Sequence, residues 1–376
     1  MTPHLVDATL FFSRTSGGVR RYLLAKHAWL TARSRLRHTL FVPGEHDTGR
    51  AGGLVEFGSP RLWAGYRCPV RLPALRAALA AFEPDLIEAG DPYLMGWQVT
   101  EVARTLQVPA VAFCHSDVIN LMAQRLGRPG AVIAAHYLRA LYERFDLVLA
   151  PSAVVADHLR LAGVANALVQ PLGVDPRVFD PARRDLTLRT RLGLASHTRL
   201  LVFAGRLAPE KNVRELYAMV ERLGAPYHLL VIGAPEPARP TPSITLLPYL
   251  SSAEQMAATL AACDALVHAG RQETFGLVAL EAMACGIPVV AYAAGAMPEF
   301  VDATVGELAP PTGPAALAEA VDRLFMRDPP ARGATARARV LSSHTWDATF
   351  ARQLRHYARL LNQASLLHDA PTLLPA

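Results

Sequence analysis

The chain has 376 residues, 51% of them hydrophobic, and a formal net charge of +6. That length is too great for one ordinary core and suits two domains, and the composition excludes a disordered chain. No apolar run reaches the roughly 18 residues that a membrane-spanning helix needs.

Short apolar runs alternate with longer amphipathic stretches along the chain. In the first half the expected strands are LVDATLFF, HTLFVPG, DLIEAG, PAVAFCH, DLVLAPS and ALVQPLG. Helical stretches lie near residues 19–34, 73–82, 93–106, 131–144 and 152–162. In the second half the strands are RLLVFAGR, YHLLVIGA, ITLLPYL, ALVHAG and PVVAYA, with helices near 211–223, 252–262, 276–285 and 313–326. This order predicts an α/β fold of two Rossmann-like βαβ domains, with parallel sheets covered by helices on both faces. The expected boundaries are 1–172 for the first domain and 199–344 for the second. The Pro-, Asp- and Arg-rich stretch 173–198 would link them. A last amphipathic helix, 345–362, has no strand to serve and is expected to pack back on the first domain.

The N-terminus, MTPHLVDATLFFSRTSGG, makes a poor signal peptide. Cys68, Cys114, Cys263 and Cys285 are scattered, without a CxxC pair, and read as reduced thiols of a cytoplasmic protein. Charge is uneven. Residues 1–185 hold 21 Lys and Arg against 16 Asp and Glu, whereas residues 186–376 hold 17 against 16. The clusters Arg20, Arg21, Lys26, Arg33, Arg35, Arg37 and Arg61, Arg67, Arg71, Arg76 account for much of the excess. Two readings stay open: a solvated helix face, or peripheral attraction to an anionic membrane or acidic acceptor. No aromatic–basic interleaving accompanies the charge, so a nucleic-acid partner is not expected. The chain has only two lysines, Lys26 and Lys211, against 36 arginines. A lysine here hints that a compact ammonium is wanted rather than a guanidinium fork.

Ligands of open α/β sheets lie beyond the carboxyl ends of strands. After the first strand, Gly17 and Gly18 precede a helix and let backbone amides approach an anion; a simple tight turn is the alternative. GxGxxG is absent, which disfavours a nicotinamide dinucleotide. His115-Ser116-Asp117 follows another strand, with His115 beside a substrate or with Ser and Asp as mere helix caps. Asp91 and Tyr93 of AGDPYLMG line the same cleft or start a helix. After RLLVFAG come Arg206 and Lys211, two cations on one short loop, which suit a diphosphate.

The stretch RQETFGLVALEAMACGIPVVAY carries Glu273 in a loop and Glu281 inside a helix that starts near Phe275-Gly276. Eight residues would leave the two about 80° apart around a helix axis. Both carboxylates can then face one cleft, with the amides of Gly276, Leu277 and Val278 between them. Carboxylates accept from vicinal hydroxyls and amides from phosphate oxygens, which is the layout a sugar nucleotide needs. Taken alone, Glu281 reads as a solvated helix position and Glu273 as a helix N-terminal charge.

AGRLAPEKN and ETFGLVALEAMACGIPVVA, supported by SGGVRRY, FCHSD, PLGVDPRVF and GAMPEF, resemble the retaining glycosyltransferases of family 4. The resemblance covers nearly the whole chain. It implies the GT-B architecture, two Rossmann-like domains facing a central cleft. It implies transfer of a hexose of glucose or mannose type from a UDP-, GDP- or ADP-sugar to a lipid-linked, glycolipid or polysaccharide hydroxyl. It also implies roles: Gly18 at the diphosphate, His115 near the donor sugar, Arg206 and Lys211 neutralising the diphosphate. Glu273 would hold sugar hydroxyls and Glu281 the ribose; Leu277 and Val278 would give amides, and Leu250 would contact the base. No Asp-x-Asp motif is present, so no metal and no cofactor beyond the donor are expected. The rival readings are another GT-B sugar-nucleotide enzyme, an epimerase or hydrolase, and a non-catalytic sugar-nucleotide-binding protein.

Overall fold

The computed structural model describes residues 2–13, 17–49, 53–62, 66–234, 241–363 and 365–367. Part of the SRTSGG turn, residues 14–16, and of the GAPEPARP stretch, residues 235–240, lies outside them. The chain forms two compact units, Met1–Pro171 with Trp346–Ala376, and Leu172–Thr345.

The first unit runs β1 (His4–Ala8), α1 (Gly18–Arg33), β2 (Arg37–Gly44), β3 (Leu54–Gly58), α2 (Leu72–Ala80), β4 (Leu86–Ala89) and α3 (Leu94–Leu106). It continues with β5 (Ala110–Phe113), α4 (Val118–Tyr142), β6 (Leu147–Ala150), α5 (Ala153–Leu161) and β7 (Ala167–Val169). The sheet is parallel, in the order β3-β2-β1-β4-β5-β6-β7. Its central strands are buried on both faces, which explains the unbroken apolar runs of β5 and β6; β1 and β4 each bury one carboxylate, Asp7 and Glu88.

Two features depart from the sequence pattern. β3 was not expected: LVEFG is a half-buried edge strand with alternating burial, short and next to glycine. The helix expected over 131–144 instead begins at Val118, with Gly127 at φ 66° and ψ −156° breaking it into two arms. Gly-Arg-Pro-Gly hides the first arm from a periodicity search, because Pro and Gly are helix breakers. Gly130 permits the close return, since a Cβ there would lie 2.4 Å from the Met122 carbonyl oxygen.

The second unit runs α6 (Leu188–Arg191), β8 (Arg199–Ala204), α7 (Val213–Leu223), β9 (Tyr227–Ala234), β10 (Ile244–Pro248), α8 (Ala253–Ala261) and β11 (Ala265–His268). Then come α9 (Leu277–Ala284), β12 (Val289–Tyr292), β13 (Gly306–Ala309), α10 (Pro314–Phe325) and α11 (Pro329–Ser343). This parallel sheet has the order β10-β9-β8-β11-β12-β13. α7 shows why these helices form: Val213, Leu216, Met219 and Val220 are buried as one stripe, and Gly224 at φ 62° ends the helix. β13, GELA, is too short and polar to stand out in the sequence, but it pairs with β12 from Val289 to Tyr292.

Residues 173–198 belong to the second unit. The Arg337 guanidinium on α11 donates to the Phe179 carbonyl and to Asp180, and Arg189 on α6 reaches Asp264 at 2.7 Å. Leu188 is buried beside these anchors. The charges that suggested a loose linker are therefore its attachments. The last helix, α12 (Trp346–Leu360), falls in the first unit, where Gln353 and Tyr357 donate to Glu88 of β4. Among the described residues no helix is long and apolar enough to cross a membrane.

A candidate donor-sugar site in the second unit

Each sheet has one point where strand order reverses: between β1 and β4, and between β8 and β11. A crevice opens outside the carboxyl ends of strands at such a point. In the second unit β8 delivers Gly205 and Arg206, and β11 delivers Gly270 to Glu273.

At this switch point the structure brings Lys211 and Glu273 into contact, with Lys211 Nζ donating to Glu273 Oε2. His268 Nε2, at the end of β11, lies 3.1 Å from the same oxygen. Burial opposes ionisation of Glu273, but the charge of Lys211 and the contact with His268 outweigh it and hold its pKa well below the usual carboxylate range. Glu273 is therefore a fixed anion, and Lys211 a partly neutralised cation with further N–H donors to offer. Asn212, in the left-handed region at φ 50°, anchors the Lys211 loop by donating to the Ala269 carbonyl at 3.1 Å.

The rest of the Glu273 loop is pinned from outside. Ala296 N–H donates to the Glu273 carbonyl at 2.9 Å. Gly295, at φ 56°, lies so close that a Cβ would come within 2.6 Å of that carbonyl oxygen. Arg271 makes a bidentate pair with Glu215 at 2.7 and 3.0 Å and lies 4.6 Å over the Tyr292 ring. Gly276 caps α9 in the left-handed region at φ 85°, and no side chain caps that helix. Leu277 and Val278 thus lie in the first turn, where amides lack an intrahelical acceptor and the helix end is electropositive. Phe275 is buried against Phe300.

Three further expected residues lie on other parts of the second unit's framework. The Arg206 side chain is 71% exposed, with Glu210 3.9 Å away, so Arg206 and Lys211 do not form a fixed pair. Glu281 is buried on α9, not on a solvated face. Leu250 follows β10, the edge strand, with β9 between it and β8.

In the first unit Gly17 caps α1 and Gly18 opens it. A Cβ on Gly17 meets nothing within 4 Å and its φ is −68°, so the described fold does not itself require glycine there. His115 stacks on Phe113 at 4.3 Å and meets Tyr22 edge-on at 5.3 Å. Burial, aided by the nearby charge of Lys26, lowers its pKa to about 3, so it is a neutral ring at physiological pH. The carboxylates expected on the acceptor side have structural partners. Asp117 caps α4 through Asn120 N–H and pairs with His158 at 2.7 Å. Asp91 accepts from Leu10 N–H at 2.6 Å and Tyr93 N–H at 3.1 Å, and burial raises its pKa to about 6. Tyr93 is partly exposed and packs edge-on against Phe11.

Lys26 overturns one expectation. It is not on a solvated basic face but fully buried, 2.8 Å from both Asp7 and Glu88. Several arginines of the same clusters are also engaged: Arg33 with Asp347, Arg67 with Glu45, Arg71 with Asp47 and Arg76 with Gln98.

Residues 16–178 match the family model described as Glycosyltransferase Family 4, and residues 198–327 that of Glycosyl transferases group 1. A GDP-mannose-dependent alpha-(1-6)-phosphatidylinositol dimannoside mannosyltransferase of Mycobacterium tuberculosis is 32% identical over 368 residues, 93% of this chain and 94% of that one. The chain belongs to glycosyltransferase family 4. A GDP-mannose-dependent alpha-mannosyltransferase of Corynebacterium glutamicum is 28% identical over 64% of this chain, and a second from M. tuberculosis is 34% identical over 60%. The match spans only 58% and 61% of the length of these two relatives. Among solved structures, the sucrose-phosphate synthase of Thermosynechococcus elongatus superposes with a TM-score of 0.80 at 21% identity, covering 96% of this chain and 99% of that one. Anabaena HepE in complex with UDP-glucose superposes with a TM-score of 0.76 at 18% identity, covering 95% and 99%. These neighbours establish the GT-B fold of two Rossmann-like parallel-sheet units.

His268 and Gly295 escaped the sequence reading. The first looked like the end of a buried strand, and the second was noticed only as part of GAMPEF.

Proposed function

We propose that this family 4 member transfers mannose from GDP-mannose to a hydroxyl of a glycolipid acceptor, with retention of anomeric configuration. The observation that carries the reading is the full-length similarity to a GDP-mannose-dependent mannosyltransferase, joined to a fixed carboxylate and an ammonium at the β8/β11 switch point. On this reading Glu273 accepts from sugar hydroxyls. Lys211, Arg206 and the first-turn amides of α9 face the diphosphate and stabilise the charge that develops as it leaves. Glu281 serves the ribose and Leu250 the base. The departing phosphate takes the acceptor proton, because no side chain is assigned as general base.

We also propose that the reaction needs no divalent metal. The reading rests on the sequence, which carries no Asp-x-Asp motif. Activity that survives EDTA supports this; activity lost to EDTA and restored by Mg²⁺ or Mn²⁺ refutes it. The acceptor assignment follows the relative's phosphatidylinositol dimannoside. Since several basic-cluster residues have protein partners, membrane attachment needs its own test, and salt-sensitive co-sedimentation with anionic vesicles would establish it.

The deciding experiment is thermal shift with GDP-mannose, GDP-, UDP- and ADP-glucose, because a ligand of the native state raises apparent stability. The proposal predicts the largest shift with GDP-mannose. Isomerisation or plain hydrolysis of the donor as the main turnover would favour the rival enzymes.

A further inference from the structure

The Glu273 carboxylate is held from one side. Lys211 Nζ and His268 Nε2 both address Oε2, and among the described residues no hydrogen bond reaches Oε1. His268 is almost wholly buried at the last position of β11, directly behind the carboxylate. Its other ring nitrogen is also spoken for. The Gly270 backbone N–H donates to His268 Nδ1 at 3.1 Å. A ring nitrogen that accepts a hydrogen bond carries no proton, so in neutral His268 the proton is on Nε2, facing Glu273. Glycine at 270 is what permits this arrangement, because a Cβ there would lie 2.5 Å from His268 Cε1.

We propose that His268, locked by Gly270 as the Nε2–H tautomer, is the positioning residue of Glu273: it holds Oε2 and thereby presents Oε1 to a hydroxyl of the donor sugar. The assignment rests on the donor-sugar reading of this site. Lys211 alone cannot orient the carboxylate, because an ammonium is a rotatable point charge on a flexible stem. A buried imidazole with Nδ1 accepting from a backbone amide and Nε2 3.1 Å from the carboxylate has no such freedom. Its effect is confined to the sugar, since Glu273 serves the sugar ring and not the nucleoside diphosphate.

The test uses the full-length chain. Nitrogen-15 NMR of the imidazoles in the ligand-free protein reads the tautomer directly. The expected signal for His268 is a protonated Nε2 and an accepting Nδ1, with Nε2 shifted in Glu273→Gln. A protonated Nδ1 overturns the proposal whatever the donor is. The second arm compares wild type, His268→Leu, His268→Gln and Gly270→Ala for calorimetric affinity to GDP and to GDP-mannose, and for kcat/KM. Glutamine keeps an N–H donor near the Nε2 position and leucine removes it. His268→Leu is expected to lower kcat/KM for GDP-mannose by about 10- to 100-fold, the range for losing a hydrogen bond to a charged group, with GDP affinity unchanged. Gly270→Ala should reproduce this loss, and His268→Gln should restore activity to within roughly threefold of wild type. Equal losses of GDP and GDP-mannose affinity, or a glutamine variant as impaired as the leucine one, would reduce His268 to a packing residue and overturn the proposal. Failure of wild type to bind GDP-mannose would count against the donor reading instead, and the NMR arm would still decide the His268–Glu273 contact.

Discussion

Replacing Lys26 by Met should destabilise the first unit severely, and more so as pH rises. Lys26 is buried with two carboxylates, Asp7 on β1 and Glu88 on β4, and Glu88 also accepts from Gln353 and Tyr357 of α12. One ammonium thus compensates two acids. Burial pushes Glu88 up to about 7, with Asp7 adding to the shift and Lys26 opposing it. For Asp7, burial is outweighed by Lys26 and His38, and its pKa is lowered. The signs follow. Glu88, raised in the folded state, contributes stability that is full below its ordinary value of 4.5 and lost as pH climbs through about 7. Asp7, lowered, contributes stability above its ordinary value of 3.8 that is lost only in acid. Methionine keeps the stem volume and removes the charge, leaving Glu88 with only the uncharged donors Gln353 and Tyr357 and Asp7 with only His38. Breaking a buried pair in this way costs about 3–5 kcal/mol. For a unit of this size that is a fall in Tm of roughly 6–20 °C. Urea unfolding followed by circular dichroism at pH 5, 7 and 8 measures it. The deficit should be greatest at pH 8 and shrink toward pH 5, where both acids are more easily protonated. A triple variant, Lys26→Met with Asp7→Asn and Glu88→Gln, should recover most of the loss. A deficit under about 1 kcal/mol at pH 8, or one independent of pH, would refute the charge argument.

Two further outcomes are expected. Lys211→Ala should lower turnover by on the order of 10²-fold or more, as loss of one preorganised donor does; steady-state kinetics at saturating donor measures it. Gly295→Ala forces a Cβ against the Glu273 backbone, and should cost on the order of 10²-fold in activity through misplacement of the loop, while far-ultraviolet dichroism stays native.

The alternation of apolar runs was enough to foresee two parallel-sheet units, because parallel strands buried on both faces include unbroken apolar stretches such as AVAF and LVLA. Edge strands escaped because they are short and half-exposed, as in LVEFG and GELA. The site was legible as far as single residues announce themselves. Lys211 stood out because lysine is rare in this chain, and Glu273 because a carboxylate follows a buried strand there. Their direct pairing was not legible, since contacts across 62 residues leave no local pattern. The same rarity misled at Lys26. Its neighbours Arg20 and Arg21 suggested a basic surface, whereas its partners Asp7 and Glu88 are 19 and 62 residues away in sequence. Asp91 and Asp117 were open to two readings, because a carboxylate at a strand end can meet a substrate or start a helix; the structure gives both backbone-amide partners and Asp117 also His158.

The most direct measurement is titration of GDP-mannose into wild type, Glu273→Ala and Lys211→Ala by isothermal calorimetry. Wild type should bind, Glu273→Ala should lose the sugar's share of the affinity while still binding GDP, and Lys211→Ala should bind both nucleotides more weakly. Unchanged GDP-mannose affinity in both variants would show that the β8/β11 switch point does not hold the donor.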